Sequence, residues 1–178
     1  MRSLIGPSFA ALALTMIAPR ASAQSIAPPS ALAADSENDA IRDFLSIGLA
    51  AAPAAFHSIQ GSSLDDMQMQ YAVAKQPEGT YFGSCSVSHY SDDDQSAFTC
   101  ISPRSVISDD ALLASTSRAL QAALPSGYTT EGPHPYSEDS GRAGQSWSGP
   151  GKPTVSFVIH TEPGGVAYYK LTVWAEGV

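Results

Sequence analysis

Positively charged side chains are scarce in this sequence of 178 residues. Nine Lys and Arg stand against seventeen Asp and Glu, which gives a formal net charge of −8. This balance excludes the basic surface by which proteins usually bind nucleic acid, and it disfavours binding to anionic membranes. A basic protein or peptide is a compatible partner.

Long apolar runs are also absent beyond the N-terminus, where residues 1–23 have the parts of a cleavable signal peptide. Arg2 supplies the positive start, Leu4–Ile17 the apolar run, and Ala21–Ala23 the small-residue cleavage site. The run is shorter than the roughly 20 residues that span a bilayer. We therefore expect cleavage between Ala23 and Gln24, a periplasmic or secreted protein and no membrane span. The mature net charge is then −10, because two of the nine basic residues leave with the signal and all seventeen acidic residues remain.

Cysteine occurs only twice, at Cys85 and Cys100. An exported chain with two cysteines is expected to pair them. Residues 81–90 and 95–102 read as two strands joined by a turn at 91–94. If Tyr90 faces Gln95, Cys85 directly faces Cys100, at a separation that suits a disulfide. No C-x-x-C motif is present, so we interpret the pair as structural rather than redox-active.

The remaining periodicity predicts an α+β fold of one domain, residues 36–178, after a flexible leader at 24–35. Apolar residues spaced as on one helix face predict a first helix from Ser36 to Pro53 and a second from Ser108 to Leu124. Strands are expected at 67–75, in the cysteine hairpin, weakly at 127–131 and around Arg142–Ser148, and in a final hairpin at 154–161 and 166–175. We predict an antiparallel sheet of about six strands with both helices packed on it.

The order of these elements divides the domain into possible halves at 36–104 and 105–178. Each half would be one helix followed by three strands. This arrangement is similar to that of exported β-lactamase inhibitor proteins, which also consist of two helix-and-sheet repeats. The similarity is one of architecture and not of sequence motifs.

Motifs for catalysis and cofactor binding are lacking. The histidines His57, His89, His134 and His160 show no spacing typical of a metal site, so neither a metal nor a cofactor is expected. There is no G-x-S-x-G or S-x-x-K motif and no glycine-rich phosphate loop. The run Asp92–Asp94 falls at a predicted hairpin tip, where solvated carboxylates are poor general acids.

Three hypotheses about function remain. The first is a non-catalytic binding or inhibitor-like domain, which recognises a protein or peptide through an open sheet face or the irregular segment Gly132–Pro153. The second is a small hydrolase whose site is assembled from distant residues, with His134, His160 and Asp139 as candidates. The third is an accessory domain of a larger envelope assembly.

Aromatic residues on loops and outer sheet faces often anchor binding partners. The candidate residues for such a surface are Tyr136, Trp147, Tyr168 and Trp174.

Overall fold

A computed structural model gives the structure of the chain and describes residues 31–67, 69–77, 82–91, 94–103, 109–137, 142–162 and 166–176. The expected signal peptide lies outside these residues. The described elements, in chain order, are α1 (Ala31–Ala51), two short 3₁₀ turns (Ala52–Ala54 and His57–Ile59), β1 (Gln60–Ser63), β2 (Gln70–Val73), β3 (Ser84–Tyr90), β4 (Gln95–Ile101), α2 (Asp109–Ala123), β5 (Thr129–Ser137), β6 (Arg142–Ser148), β7 (Thr154–Thr161) and β8 (Ala167–Glu176).

The strands form one antiparallel sheet in the order β1-β2-β3-β4-β8-β7-β6-β5. This confirms the α+β class, but the sheet has eight strands, so the expected count of about six was too low. Strand β6 has the bounds of the weak expectation at Arg142–Ser148, and β5 extends the weak strand expected at 127–131 to Ser137, within the segment expected to be irregular. Strand β1, which reads Gln-Gly-Ser-Ser, was not expected, because it has little hydrophobic alternation. Each half of the described chain is one helix followed by four strands, rather than three.

The halves meet in the middle of the sheet, where β4 pairs with β8. The pairing runs from Gln95 opposite Glu176 to Ile101 opposite Lys170. Phe98 faces Val173 across this junction, and both side chains are fully buried. The two four-stranded units are thereby joined into one continuous sheet over one hydrophobic core.

Helix α1 packs against this junction through the predicted apolar face. Ile41, Phe44 and Leu45 are buried, and the Phe44 and Phe98 rings stack with centroids 5.0 Å apart. The helix begins at Ala31, five residues before the expected start at Ser36. The helix ends at Ala51, and Pro53 lies in the 3₁₀ turn that follows. This agrees with the expectation that proline ends the first helix.

The second helix contacts both the first helix and the sheet. Thr116 and Leu120 are fully buried, as expected for a helix with one apolar face. The Thr116 hydroxyl donates to Glu37 Oε1 at 3.0 Å, which links α2 to α1. The helix ends before Gly127, whose φ of +87° favours glycine.

The cysteine hairpin forms in the predicted register. Tyr90 pairs with Gln95, Val87 with Phe98, and Cys85 with Cys100, and a disulfide joins the two cysteines. Both cysteines are buried on the face that carries Val87 and Phe98. The predicted Cys85–Cys100 disulfide is confirmed.

Strand alternation gives the sheet two faces. The face that packs against the helices, here called the inner face, carries the large buried side chains of every central strand, such as Phe98, Phe157 and Leu171. The opposite, outer face carries their neighbours in sequence, such as Thr99, Ser156 and Thr172. Among the described residues both helices lie on the inner face, since the core cluster includes side chains of both.

Helix α1 approaches the sheet closely at Gly48. A Cβ atom at this position would lie 2.8 Å from Val173 Cγ2 and 2.9 Å from Phe98 Cδ1. We expect Gly48→Leu to lower the free energy of unfolding by about 1–3 kcal/mol or more, because the helix must lift from the sheet. Ala50→Leu, on the exposed side of α1, is the control and should change the urea midpoint little. Equal midpoints for both variants would contradict this packing.

The disulfide should contribute to stability by restricting the unfolded chain. Its cysteines are 15 residues apart, and closing a loop of that length contributes about 3 kcal/mol, less the part already supplied by the hairpin. We expect Cys85→Ala/Cys100→Ala to unfold at lower urea than the oxidised protein. Reduced wild-type protein should unfold with the variant, and the prediction fails if reduction leaves the midpoint in place.

Candidate functional site

The outer face carries many short hydroxyl side chains. The register places one of them on each of five adjacent strands in a single row across the sheet, and the Thr99 and Thr172 hydroxyls in this row lie 3.2 Å apart. The row consists of Ser86, Thr99, Thr172, Ser156 and Ser146. Threonine favours strand structure and the serine side chain is short, so this part of the face is shallow and polar.

Two aromatic rings rise from one end of this shallow face. Tyr90 ends β3 and Trp174 lies near the end of β8, and their ring centroids are 5.9 Å apart. The Trp174 indole N–H donates to Ser156 Oγ at 3.1 Å, which fixes the ring over the neighbouring strand β7. Tyr90 is 42% exposed. The pair therefore offers a fixed aromatic surface to solvent.

A pocket of about 640 Å³ adjoins Trp174 at this end of the sheet. We call it the aromatic pocket. It is walled by the turn between β6 and β7, by the starts of β4 and β7, and by the 3₁₀ turn after α1. Its lining includes Gln95, Lys152, Pro53, Thr154 and Trp174. The Lys152 ammonium group is engaged, because it donates to the Ser126 carbonyl and lies 5.0 Å from the centre of the Tyr128 ring.

A second pocket, of about 550 Å³, shares Pro53 and Gln95 with the first. We call it the histidine pocket. Its lining includes His57, His89, Met69, Ser96, Asp94 and Tyr90. The two pockets are neighbours, and both open at the end of the sheet that carries the Tyr90–Trp174 pair.

The histidine pocket is organised around one amide oxygen. Gln60 Oε1 lies 3.0 Å from His57 Nδ1 and 3.1 Å from His89 Nε2, and the two imidazole rings stack with centroids 5.0 Å apart. An amide oxygen only accepts, so both of these ring nitrogens donate. In neutral His89 the other nitrogen, Nδ1, then accepts from the Ser96 hydroxyl at 2.8 Å.

Burial lowers the pKa of His89 below its ordinary value, and the neighbouring His57 lowers that pKa further. His89 is therefore neutral at pH 7, in the tautomer that the two hydrogen bonds select. The Tyr71 ring also packs edge-on against the His89 imidazole, with the ring centroids 5.5 Å apart.

Ser96 and His89 together resemble the hydroxyl and base of a nucleophilic pair. The surroundings do not complete such a site. Ser96 lies on β4 between β3 and β8, so the strand's amide groups pair within the sheet and leave no adjacent donors for an oxyanion. The Ser96 side chain is also only 7% exposed. This geometry favours a hydrogen-bonded setting of His89 over acyl transfer.

The residues proposed from sequence as a binding surface lie in four different settings. Trp147 is fully buried on the inner face and donates its indole N–H to Gln121, so it belongs to the core and not to the surface. Tyr168 lies on the outer face, stacked against His160 at 4.9 Å. Trp174 adjoins the aromatic pocket. Tyr136 lies on β5, the edge strand, and the position of its side chain is not described.

The residues suspected of hydrolysis do not lie on adjacent strands. His134 lies on β5 and His160 on β7, with β6 between them, and Asp139 lies outside the described residues. Within the described ranges, no cluster of three or more His, Cys, Asp or Glu could hold a metal ion. Among these residues, no helix is long and apolar enough to cross a membrane.

Sequence reasoning missed the importance of Tyr90, Gln60 and the His57–His89 contact. The hairpin register already places His89 opposite Ser96 and Tyr90 at the strand end, so part of the signal was available. The contact with His57 depends on the 3₁₀ turn before β1, which had no recognisable pattern. Comparison with family models, curated proteins and solved structures finds no match for this chain.

The lowered pKa of His89 predicts how stability depends on pH. The unfolded state, with an ordinary histidine pKa of about 6.5, takes up a proton before the folded state does. The stability that depends on neutral His89 is therefore present above that pH and is lost as the pH falls through this range. We expect the free energy of unfolding to decrease between pH 7.5 and 5.5.

His89→Gln should flatten this decrease, whereas His160→Gln, on the opposite face, should keep it. Urea unfolding at three pH values measures both slopes. A wild-type slope that persists in His89→Gln would show that other groups cause it.

Proposed function

We propose that the chain is an exported, non-catalytic binding domain that recognises a cationic protein or peptide segment at Tyr90 and Trp174. The single observation that carries the proposal is the fixed aromatic pair beside the aromatic pocket. Tyrosine and tryptophan are the side chains most often found as energetic anchors at interfaces. Here the Trp174 ring is held by its bond to Ser156 before any partner arrives, which lowers the entropy lost on binding.

Recognition through the face is favoured over addition of a strand at an edge. The strands at the two edges of the sheet are β1 and β5. β1 is four residues long and irregularly paired, and β5 contains Pro133 and Pro135, which have no amide N–H to donate. Short strands and proline are the usual protection against edge pairing. The shallow outer face beside Trp174 is the better docking surface.

Charge indicates the chemistry of the partner. The chain carries seventeen acidic and nine basic residues, so its field attracts cations and steers them to the surface. The faces of Tyr90 and Trp174 can then accept Lys or Arg side chains in cation–π contacts. Export to the periplasm or beyond, as a soluble protein, is part of this proposal and rests on the N-terminal pattern and on the disulfide, which suits an oxidising compartment.

The test compares three fluorescent 12-residue peptides, one rich in Lys and Arg, one neutral and one rich in Asp and Glu. We expect the cationic peptide to bind with the highest affinity in fluorescence anisotropy. Trp174→Ala and Tyr90→Ala should each cost about 2 kcal/mol, roughly a thirtyfold rise in Kd, if these rings are anchors.

Tyr168→Ala is the matched control. Tyr168 is an aromatic residue of the same face and the same strand, but it lies six positions from Trp174, or about 20 Å. Its replacement should leave the Kd unchanged. A cationic peptide that binds equally well to Trp174→Ala, Tyr90→Ala and wild type is held by net charge alone, and that result would contradict the proposal.

A further inference from the structure

We propose that His57, His89 and Met69 form a binding site for the reduced copper ion, Cu(I), in the histidine pocket. The inference is independent of the aromatic surface, because it rests on the convergence of two imidazoles and a thioether on one cavity. No local motif in the sequence indicates this site, since the three residues come from a 3₁₀ turn, from β3 and from the residue before β2.

Two ring nitrogens already point at a common position. Gln60 Oε1 lies within 3.1 Å of both His57 Nδ1 and His89 Nε2. An ion that replaced this oxygen would face both nitrogens at once. Each neutral imidazole would bind it in its other tautomer, with the proton on His57 Nε2 and on His89 Nδ1, where it donates to the Ser96 hydroxyl oxygen. Bonds from a metal to histidine are about 2.0–2.1 Å long, so the rings must close on the ion by about 1 Å. His57 is exposed and lies on a three-residue 3₁₀ turn, which is well placed to make this movement.

Met69 is fixed beside His89 by its backbone. The His89 N–H donates to the Met69 carbonyl at 2.8 Å, and the Met69 N–H donates to Asp65 Oδ1 at 2.9 Å. The two residues therefore oppose each other across β2 and β3. Directly opposed Cβ atoms lie about 4.5–5.5 Å apart, so the thioether of Met69 is within reach of an ion held by His89.

This donor set favours copper over the other common metal ions. Thioether sulfur is a soft ligand that selects Cu(I), whereas imidazole binds copper as well as zinc. Zinc sites in proteins use thiolate, imidazole and carboxylate but not thioether. Both cysteines of the chain are joined in the disulfide, so neither competes for the ion. The acidic net charge favours the approach of a cation.

The experiment is a competition between the protein and the chromogenic Cu(I) ligand bicinchoninate. It is done without oxygen and with ascorbate as the reductant, so that no thiol attacks the disulfide. We expect the wild-type protein to withdraw one equivalent of Cu(I). Met69→Leu and His57→Ala should each raise the Kd at least tenfold, since even residues outside the coordination shell cost about 10–100-fold when they are changed.

Met67→Leu is the matched control. Met67 has the same side chain two residues away, but it is 76% exposed and does not line the pocket. The Met67→Leu variant should bind Cu(I) with the same affinity as the wild type. Circular dichroism and the urea midpoint establish that each variant is folded, and both His57 and Met69 lie outside the buried core, so the substitutions should preserve the fold.

A titration with Zn²⁺ separates a sulfur ligand from a general effect on the pocket. Met69→Leu should leave Zn²⁺ binding unchanged, because zinc does not use the thioether. The proposal is overturned if wild-type protein leaves Cu(I) with bicinchoninate, if Met69→Leu and Met67→Leu bind Cu(I) equally, or if Met69→Leu weakens Zn²⁺ and Cu(I) binding by the same factor.

Discussion

The pairing of β4 with β8 is the interaction on which the rest of the structure depends. It joins two four-stranded units that would otherwise each end in an open hydrophobic edge. It also creates the fully buried Phe98–Val173 surface on which α1 lies. Since both helices cover this inner face, the outer face of the described sheet is left for hydroxyl groups and aromatic rings. By strand alternation, His89 and Ser96 share the inner side of the sheet with Val87 and Phe98, whereas Tyr90 and Trp174 lie on the outer side.

The sequence was informative wherever a strand or helix has one buried face. The hairpin register, the disulfide, the limits of β7 and the apolar side of α1 were all readable, because alternation or helical periodicity records which side chains meet the core. The strands β5 and β6 were only weakly indicated, and β1 was missed. β1 is short and polar, and β5 carries glycine and prolines that are typical of loops. Pairing with a neighbour, and not local preference, makes these segments strands.

The candidate sites were harder to predict than the fold for a related reason. Trp147 and Trp174 look alike in sequence, and only their register decides that one lies in the core and the other on the outer face. The histidine pocket brings together residues from three separate segments around Gln60. Such contacts depend on the path of irregular turns.

The central position of β8 also determines the order in which the molecule can be completed. β4 and β8 are far apart in sequence, and their pairing closes a long loop, a step that is slow compared with the formation of local hairpins. Until it occurs, the first unit exposes the unpaired edge of β4 with Phe98 beside it. In that interval the edge can pair with a second chain, since unpaired strand edges are templates for aggregation. The yield of correctly folded protein therefore depends on how soon β8 pairs with β4 relative to how often two chains meet.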